Sequence, residues 1–237
     1  MDIGLIVDLE TTGIDSKNDK IIEIGILEFL AEDGVEPMIT NMYSELEDPG
    51  EPISEEIQSI TGINDDMVAG RQIDWSRVRE LFGRADIIIA HNADFDRGFL
   101  EARPELAGID IHWGCSVKHI DWHGHGFKTR ALNYLAADMG FVNPFAHRAL
   151  FDCATTFRLV SPYLKELITR SFMKEYKLLA VGAPFAVKDK LREAAYRWDA
   201  QQRVWGKTVF EDRLDAEREF LASEIYQGSS RHEEHSL

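Results

Sequence analysis

Five residues in three separate segments of the chain could together carry out metal-assisted chemistry. Asp8 and Glu10 lie in IVDLETTG, Asp96 lies in AHNADFDRGFL, and His147 and Asp152 lie in HRALFDCA. Carboxylates that a fold brings together repel one another, so such a cluster is normally stabilised by bound cations. Hard oxygen ligands favour Mg²⁺ or Mn²⁺, and two such ions can cleave a phosphodiester while a neutral imidazole takes a proton from the attacking water. These residues therefore predict a metal-dependent nuclease.

The three segments resemble the motifs of the DEDDh 3′–5′ exonucleases, the family that includes the proofreading subunit of bacterial replicative polymerase, ribonuclease T and oligoribonuclease. The motif D-x-E-T-T-G matches residues 8–13, and H-N-A-x-F-D-x-x-F-L matches residues 91–100, which makes Asp96 rather than Asp94 the metal ligand. The third motif, H-x-x-x-x-D, matches residues 147–152 and selects the histidine branch of the family. Matches in the expected order over about the first 165 residues are far more specific than one short motif.

The resemblance implies a ribonuclease H-like fold and a site for two Mg²⁺ or Mn²⁺ ions held by Asp8, Glu10, Asp96 and Asp152. Asp8, at the centre of the expected sheet, would bridge both ions, which in this scheme lie about 3.5–4 Å apart. Glu10 and Asp152 would complete the ion on the nucleophile side, and Asp96 would serve the ion on the leaving-group side. His147 would deprotonate the attacking water, a contribution worth about 10²–10⁴-fold in rate.

Further residues are expected to contact the terminal nucleotide. The hydroxyl and backbone N–H groups of Thr11, Thr12 and Gly13 could hold the 3′ nucleotide, although an ordinary turn is the alternative because turns favour these residue types. Ile63 closes the segment ITGI, which resembles a family segment near the terminal nucleotide. Asn92 is expected to touch substrate or to support the loop of the second motif.

Hydrophobic patterning indicates the elements that must position these residues. Residues two apart share a face of a strand, so Asp8 and Glu10 point the same way, whereas Asp94 lies two residues before Asp96 on a helix and is expected to face solvent. Strands that are followed by alternating strands and helices predict an α/β domain with a mixed sheet flanked by helices. We expect strands over 4–8, 21–29, 41–46, 86–90 and 111–115, and helices over 54–60, 75–82, 93–102, 131–139 and 148–168.

Length and composition are those of a globular protein. A chain of 237 residues with 44% hydrophobic residues can hold one core of moderate size and a small appendage. Cys115 and Cys153 have no spacing typical of zinc ligands or of a disulfide framework. No N-terminal targeting pattern and no apolar run long enough for a bilayer is present, so we expect a cytoplasmic protein without a membrane partner.

The formal net charge of −16 is unusual for a protein that binds nucleic acid, because phosphate contacts come from basic surfaces. An exonuclease needs to hold only the last few nucleotides, and bound metal ions reverse the local charge. We therefore expect weak, salt-sensitive binding to long nucleic acid and little affinity without metal.

Three histidines in the segment KHIDWHGHG suggest a second metal site. His119 and His123 are spaced as on one helix face, but the glycines on either side of His125 favour a loop. A solvated loop near the rim of the active site is the preferred interpretation, and a structural zinc site with Cys115 as its only nearby cysteine is the alternative.

The composition changes after about residue 170. We expect an exonuclease domain over 1–170, a small accessory α+β module over 171–227 and a disordered tail over 228–237. Within the module the pattern predicts a strand over 177–185, a helix over 188–195, a hairpin over 196–210 and a helix over 215–226.

The module combines aromatic residues with a local surplus of positive charge. Eight basic and four acidic residues lie between Phe172 and Phe210, and Tyr196, Trp198 and Trp205 are interleaved with them. Such a composition suits the stacking of bases, while the alternative is that these aromatic side chains form the core of the module. The YRWD…RVW pattern resembles an accessory unit that follows exonuclease domains in some bacteria.

The resemblance implies a 3′–5′ exonuclease that releases nucleoside 5′-monophosphates from the 3′ end of single-stranded DNA. An exoribonuclease is the alternative. Contacts between the protein and the ribose 2′-OH would distinguish an RNA substrate from DNA. A proofreading-type subunit active in a polymerase or repair complex, and a homodimer, are further possibilities for its partners. A binding module without activity is disfavoured because all five site residues are present.

Overall fold

The computed structural model describes residues 2–228 and 231–237, and the chain forms two compact units, Met1–Ser171 and Phe172–Leu237. Each unit has its own sheet and its own buried cluster of hydrophobic side chains. Among the helices that the structure describes, none combines the length and the apolar composition that crossing a bilayer requires.

The first unit is built on a five-stranded mixed sheet with the order β3-β2-β1-β4-β5. The first three strands pair antiparallel, and β4 and β5 continue the sheet in parallel with β1. Helices flank this sheet, so the predicted α/β fold is confirmed. The strands are β1 Asp2–Thr11, β2 Ile21–Glu32, β3 Val35–Leu46, β4 Ile87–Ala90 and β5 Trp113–Cys115, and the helices are α1 Glu55–Thr61, α2 Asp65–Val68, α3 Trp75–Arg84, α4 Ala93–Leu100, α5 Ser116–His119, α6 Leu132–Asp138, α7 Ala149–Val160 and α8 Leu164–Ser171.

Alternation along β1 divides its side chains between two hydrophobic clusters. Leu5 and Val7 pack on one face in the cluster that includes α3, and Ile6 packs on the other in the cluster that includes α7 and α8. Asp8 and Glu10 follow the same alternation as Ile6. The two acidic residues therefore lie on the face of the sheet that α7 covers.

Two differences between the predicted and the observed elements of this unit have a clear physical reason. The expected helix over 148–168 is interrupted by the turn Ser161–Tyr163 between α7 and α8, because Pro162 has no N–H group with which to continue the helical hydrogen bonds. Strand β3 covers twelve residues rather than the six expected. It is an edge strand whose first half is largely exposed, so the buried-exposed alternation that reveals a strand is missing there.

Gly25 lies where the backbones of β2 and α7 touch. A Cβ atom at this position would lie 2.4 Å from the carbonyl carbon of Ala149 and 2.5 Å from the backbone N of Leu150. Gly25→Ala should therefore force the strand and helix apart and lower the free energy of unfolding by about 1–3 kcal/mol, measured from the urea denaturation midpoint. Gly83→Ala is the matched control, because a Cβ at this helical site meets nothing within 4 Å. Equal midpoints for the two variants would contradict this contact.

The second unit is a four-stranded antiparallel sheet with the order β7-β8-β6-β9 and two short helices. The strand expected over 177–185 ends at residue 180, because Gly182 adopts a positive φ of 62° and Pro184 follows it. The strands are β6 Glu175–Ala180, β7 Arg197–Asp199, β8 Val204–Phe210 and β9 Glu233–Ser236, and the helices are α9 Lys188–Glu193 and α10 Leu214–Phe220, which continues as a wider helical turn over Leu221–Ile225.

The three aromatic residues of the module have different environments. Tyr196 is fully buried and its hydroxyl donates to Glu217 Oε2 at 3.2 Å. Trp205 is half-buried beside the same hydrophobic cluster, and Trp198 is 50% exposed at the edge strand. Tyr196 therefore belongs to the core of the unit, and only Trp198 presents a large part of its ring to solvent.

The expectation of a disordered tail over 228–237 is wrong for residues 233–236. Strand β9 pairs antiparallel with β6, and Glu234 forms an ion pair with Arg218 at 2.6 Å. The hydrogen bonds from Arg218 lower the pKa of Glu234 to about 2. The sequence pattern does not reveal β9 because its residues are polar. The strand is held by backbone pairing and ion pairs rather than by buried side chains. Residues 229–230 of the expected tail lie outside the described residues.

Candidate active site

The carboxyl end of β1 presents the first two acidic residues. Asp8 is half-buried and Glu10 is 8% exposed. The pairing of β1 with β2 shifts in register between Glu10 and Thr11, a bulge of the kind that redirects side chains next to active sites. Glu10 lies directly opposite Glu23 of β2.

Asp96 reaches the same place from the first turn of α4. Its carboxylate is 3% exposed and accepts a hydrogen bond from the backbone N of Leu9 at 3.1 Å. Strand β4 leads into α4 and is parallel to β1, so both strands end at the same edge of the sheet. The hydrogen bond therefore fixes Asp96 beside the segment that carries Asp8 and Glu10.

The N-terminus of α7 supplies the third motif. Asp152 is 5% exposed, and its carboxylate accepts hydrogen bonds from the backbone N of His147 at 3.0 Å and from the side-chain amide of Asn143. His147 is exposed and has a positive φ of 62°, a backbone conformation that residues other than glycine rarely adopt. The hydrogen bond to Asp152 holds this unusual backbone in place, and such conformations cluster at functional sites.

The structure brings the motifs together. One ligand atom each of Glu10, His147 and Asp152 lies within 4.8 Å of the others, so the three could hold a metal ion. Burial and then the charges of Asp96, Asp152 and Glu10 raise the pKa of Asp8 well above its usual value. The four predicted metal ligands therefore form one acidic cluster.

The electrostatics of this cluster are unfavourable without a cation. Burial and the neighbouring charges, Asp152 first among them, raise the pKa of Glu10 to about 8, and burial raises the pKa of Asp96 to about 8. Arg148 is the cation that opposes this effect on Glu10. Buried carboxylates with raised pKa values are stabilised when a cation neutralises them.

Comparison with known proteins identifies the family. The sequence profile of the RNase T family, described as exonuclease, matches residues 5–160. The chain belongs to this exonuclease family. Its sequence is 32% identical over 168 residues to the PolC-type DNA polymerase III of Listeria monocytogenes and 29% identical over 171 residues to that of Streptococcus suis. These matches cover 68% and 70% of this chain but only 11% of each polymerase, so the chain spans about a ninth of the length of these relatives.

Solved structures of exonucleases share the fold. Exonuclease X in complex with 5′ overhanging duplex DNA is 26% identical, with a TM-score of 0.51 over 68% of this chain and 91% of that one. A full-length 3′-exonuclease, 16% identical, superposes with a TM-score of 0.54 over 70% of this chain and 61% of that one. The resemblance inferred from the motifs is thus confirmed, and the mixed sheet is the ribonuclease H-like sheet of these exonucleases.

The acidic cluster of this exonuclease domain fits divalent cations. Its donors are carboxylate oxygens, the ligands that Mg²⁺ and Mn²⁺ prefer, and no sulfur is among them. The residues suited to hold the ions are Asp8, Glu10, Asp96 and Asp152. His147 is the imidazole that lies within reach of this group.

The raised pKa values predict how the stability of the metal-free exonuclease depends on pH. Between about pH 4 and pH 8 the folded protein holds protons on Glu10 and Asp96 that the unfolded chain has released, so the free energy of unfolding should fall as pH rises through this range. Added Mg²⁺ should reverse the loss, most strongly near pH 8. Melting temperatures across this range, with Mg²⁺ or with EDTA, measure the effect, and a pH trend unaffected by Mg²⁺ would contradict it.

Glu23 is a residue of the site that the sequence did not reveal. It is 2% exposed on β2, and its carboxylate accepts hydrogen bonds from Arg148 Nε at 3.1 Å, from Arg148 Nη2 at 2.8 Å and from the backbone N of Ala149 at 2.9 Å. These bonds fix the first residue of α7 against β2. Glu23 therefore positions the helix that carries Asp152, and the acidic residue within the apolar run IIEIGI is the signal that could have revealed it.

The loop after β1 is a hydrogen-bonded turn. Thr11 Oγ1 donates to the carbonyl of Gly13 at 2.5 Å, and Thr12 Oγ1 accepts from the backbone N of Lys20 at 2.9 Å. Both hydroxyls thus have partners within the loop itself. Contact of Thr11, Thr12 and Gly13 with a 3′ nucleotide stays a prediction.

The structure corrects the expectation for Ile63. Its side chain is fully buried in a cluster with Ile22, Ile53 and Val68, so it has no surface to offer a nucleotide. Ile60 is 46% exposed and is the hydrophobic side chain of that segment that faces solvent. The family resemblance located the segment but could not show which of its residues turns inward.

Asn92 and Asp94 are both exposed beside the second motif. Asn92 precedes α4 and makes no side-chain capping bond to it, so its proposed contact with substrate is still to be tested. Asp94 faces solvent as expected and pairs with Lys118 at 2.7 Å.

His91 lies mostly inside the protein, where burial lowers its pKa to about 4, and its ring nitrogens form hydrogen bonds with the hydroxyl of Ser116 and the carbonyl of Arg130. His91 therefore supports the fold.

His119 ends α5, His123 and His125 lie in the loop after it, and the three imidazoles do not converge. Within residues 2–228 and 231–237, the group that could bind a metal is the acidic one described above. The imidazoles instead bond to three separate partners, which are the backbone N of Cys115 for His119, the carbonyl of Phe127 for His123 and the carboxylate of Glu166 for His125. The zinc alternative thus has no support, and the three side chains make separate contacts to β5, to the loop itself and to α8.

Proposed function

We propose that the protein is a metal-dependent 3′–5′ exonuclease that hydrolyses single-stranded DNA from its 3′ end and releases nucleoside 5′-monophosphates. The observation that carries this proposal is the convergence of four carboxylates from three motifs with the imidazole of His147 at one edge of the sheet. Membership of the exonuclease family supports the same chemistry.

Asp8, Glu10, Asp96 and Asp152 would hold two divalent cations. Bound Mg²⁺ or Mn²⁺ supplies positive charge that stabilises the attacking and the departing oxygen of a phosphodiester. The protein contributes fixed positions for the carboxylates, because Asp96 is tied to β1 and Asp152 is tied to the backbone of His147.

The proposed role of His147 is to move the proton. His147 is exposed and its ring adjoins the carboxylates of Glu10 and Asp152, so the imidazole is accessible from solvent at the acidic cluster. We propose that a ring nitrogen of His147 accepts the proton of this water as it attacks the phosphorus, the step in which general-base catalysis acts.

DNA is the proposed substrate because several of the relatives described above are named for DNA or were solved with it. Several are PolC-type DNA polymerases, and the structure of Exonuclease X was determined with duplex DNA. The 3′-exonuclease that recognises histone mRNA is only 16% identical, which supports the fold alone. Action within a polymerase complex is a further possibility that the PolC relatives suggest.

An end-label assay tests the activity, its polarity and its substrate together. The purified protein is incubated with 5′-labelled and 3′-labelled single-stranded DNA, and with matching RNA, in Mg²⁺, Mn²⁺ or EDTA. We expect a ladder of shortened 5′-labelled DNA and immediate release of the 3′ label, both absent in EDTA. Faster degradation of RNA would change the substrate, and no degradation of either strand with metal would remove the proposal.

A further inference from the structure

A recess of about 390 Å³ opens beside the acidic cluster, between the end of β3, the loop before α3 and the N-terminus of α7. Glu23 of β2, which lies opposite Glu10 of β1, is one of its lining residues. Arg148, which directly follows His147, forms one wall. The polar residues that line the recess are Glu23, Ser44, Glu45, Arg71, Gln72 and Arg148.

The two carboxylates of the recess already have partners. Glu23 is bound by Arg148 and by the backbone N of Ala149. Glu45 Oε2 accepts hydrogen bonds from the backbone N of Asp74 at 3.0 Å and from the hydroxyl of Tyr43 at 3.0 Å. Glu23 is therefore neutralised by Arg148, and Glu45 is held by two neutral hydrogen-bond donors.

The two arginines, in contrast, retain donors. Within the described ranges, the exposed guanidinium of Arg71 has no hydrogen-bond or ion-pair partner, and Arg148 binds Glu23 through Nε and Nη2 only. The loop that carries Arg71 is fixed, because its backbone N donates to Val68 and its carbonyl accepts from Asp48. The recess therefore offers free guanidinium donors from two anchored residues.

A phosphodiester is the ligand that fits this arrangement. Guanidinium groups bind phosphate oxygens through paired hydrogen bonds. The side-chain amide of Gln72 and the hydroxyl of Ser44 add neutral polar groups to the recess. The chain carries a net charge of −16, so the unpaired Arg71 and the remaining donor group of Arg148 are where the backbone of a nucleic acid can be attracted.

We infer that this recess is a subsite for a phosphodiester of the nucleic acid whose 3′ end lies at the acidic cluster. The inference rests on the proposed function, because it assumes that nucleic acid binds there. Arg71 is the specific contact. Arg148 has a second use, since it also holds Glu23 and the start of α7.

The test measures binding and cleavage separately. Arg71→Gln is compared with Arg77→Gln, which removes the same charge from an arginine of α3 that pairs with Glu80 at 2.6 Å on the surface. Fluorescence anisotropy with Mg²⁺ measures the Kd of the 237-residue chain for a cleavage-resistant phosphorothioate single strand and for the same strand in a duplex, over a range of salt concentrations. A p-nitrophenyl ester of a nucleoside 5′-monophosphate, which has no second phosphodiester to occupy the recess, reports cleavage.

We expect Arg71→Gln to raise the Kd for DNA at least about threefold and to make the salt slope of log Kd shallower by about 0.7 for a single strand, whereas Arg77→Gln does neither. The two variants should cleave the ester alike. Weaker binding of Arg71→Gln to the single strand would assign the recess to the strand that is cleaved. Weaker binding to the duplex alone would assign it to the complementary strand. Equal Kd values and slopes for both variants would overturn the subsite. Failure of the unaltered protein to cleave DNA or ester, with the Kd difference present, would remove the proposed function alone.

Discussion

Replacing Asp96 with asparagine should lower the rate of 3′-end cleavage by about 10³-fold or more, equivalent to about 4 kcal/mol of transition-state stabilisation. Asparagine has nearly the same shape and can still accept the hydrogen bond from Leu9, but it removes one negative charge from the set that would hold the cations. Calorimetric titration with Mn²⁺ should show weaker binding. The metal-free variant should melt at a higher temperature near pH 8, because a buried carboxylate whose pKa is raised to about 8 no longer has to ionise there.

Asp94→Asn is the matched control for this variant. Asp94 lies two residues away on the same helix, faces solvent and pairs with Lys118. The control should retain activity and Mn²⁺ affinity close to those of the unaltered protein. A similar loss in both variants would point to a general effect of charge, and full activity in Asp96→Asn would place the site elsewhere.

Replacing His147 with alanine should lower the cleavage rate by about 10²–10⁴-fold, because the attacking water would lose its proton acceptor. Mn²⁺ affinity should be retained, since the carboxylates that would hold the ions stay in place. Single-turnover rates measured with saturating Mn²⁺ separate the two effects.

The metal affinity of His147→Ala also decides between two uses of the imidazole. The ring lies close enough to Glu10 and Asp152 to serve as a metal ligand itself. Loss of Mn²⁺ affinity together with rate would make His147 a ligand, and a variant with nearly full activity would exclude both uses.

Local sequence patterns were enough to predict the elements that carry the motifs. Strands β1 and β4 are continuous apolar runs that end at the acidic or polar residues of the first two motifs, so both their positions and the sharing of a face by Asp8 and Glu10 followed from the sequence. The family resemblance supplied what periodicity could not, namely that Asp96 and Asp152 meet the first pair in space.

Features that depend on distant partners could not be predicted. The contact of Glu23 with Arg148 joins residues 125 positions apart, and the burial of Ile63 depends on a cluster assembled from separate segments. Strand β9 exists because β6 offers it a free edge. The break between α7 and α8 was different, because Pro162 signalled it within the sequence.

Anomalous diffraction from crystals soaked in Mn²⁺ tests most directly whether the acidic cluster holds cations. We expect two manganese peaks within bonding distance of the carboxylates of Asp8, Glu10, Asp96 and Asp152, with Asp8 in contact with both. Crystals that show manganese bound only by other side chains, or none at this edge of the sheet, would contradict the two-metal site on which the proposed exonuclease depends.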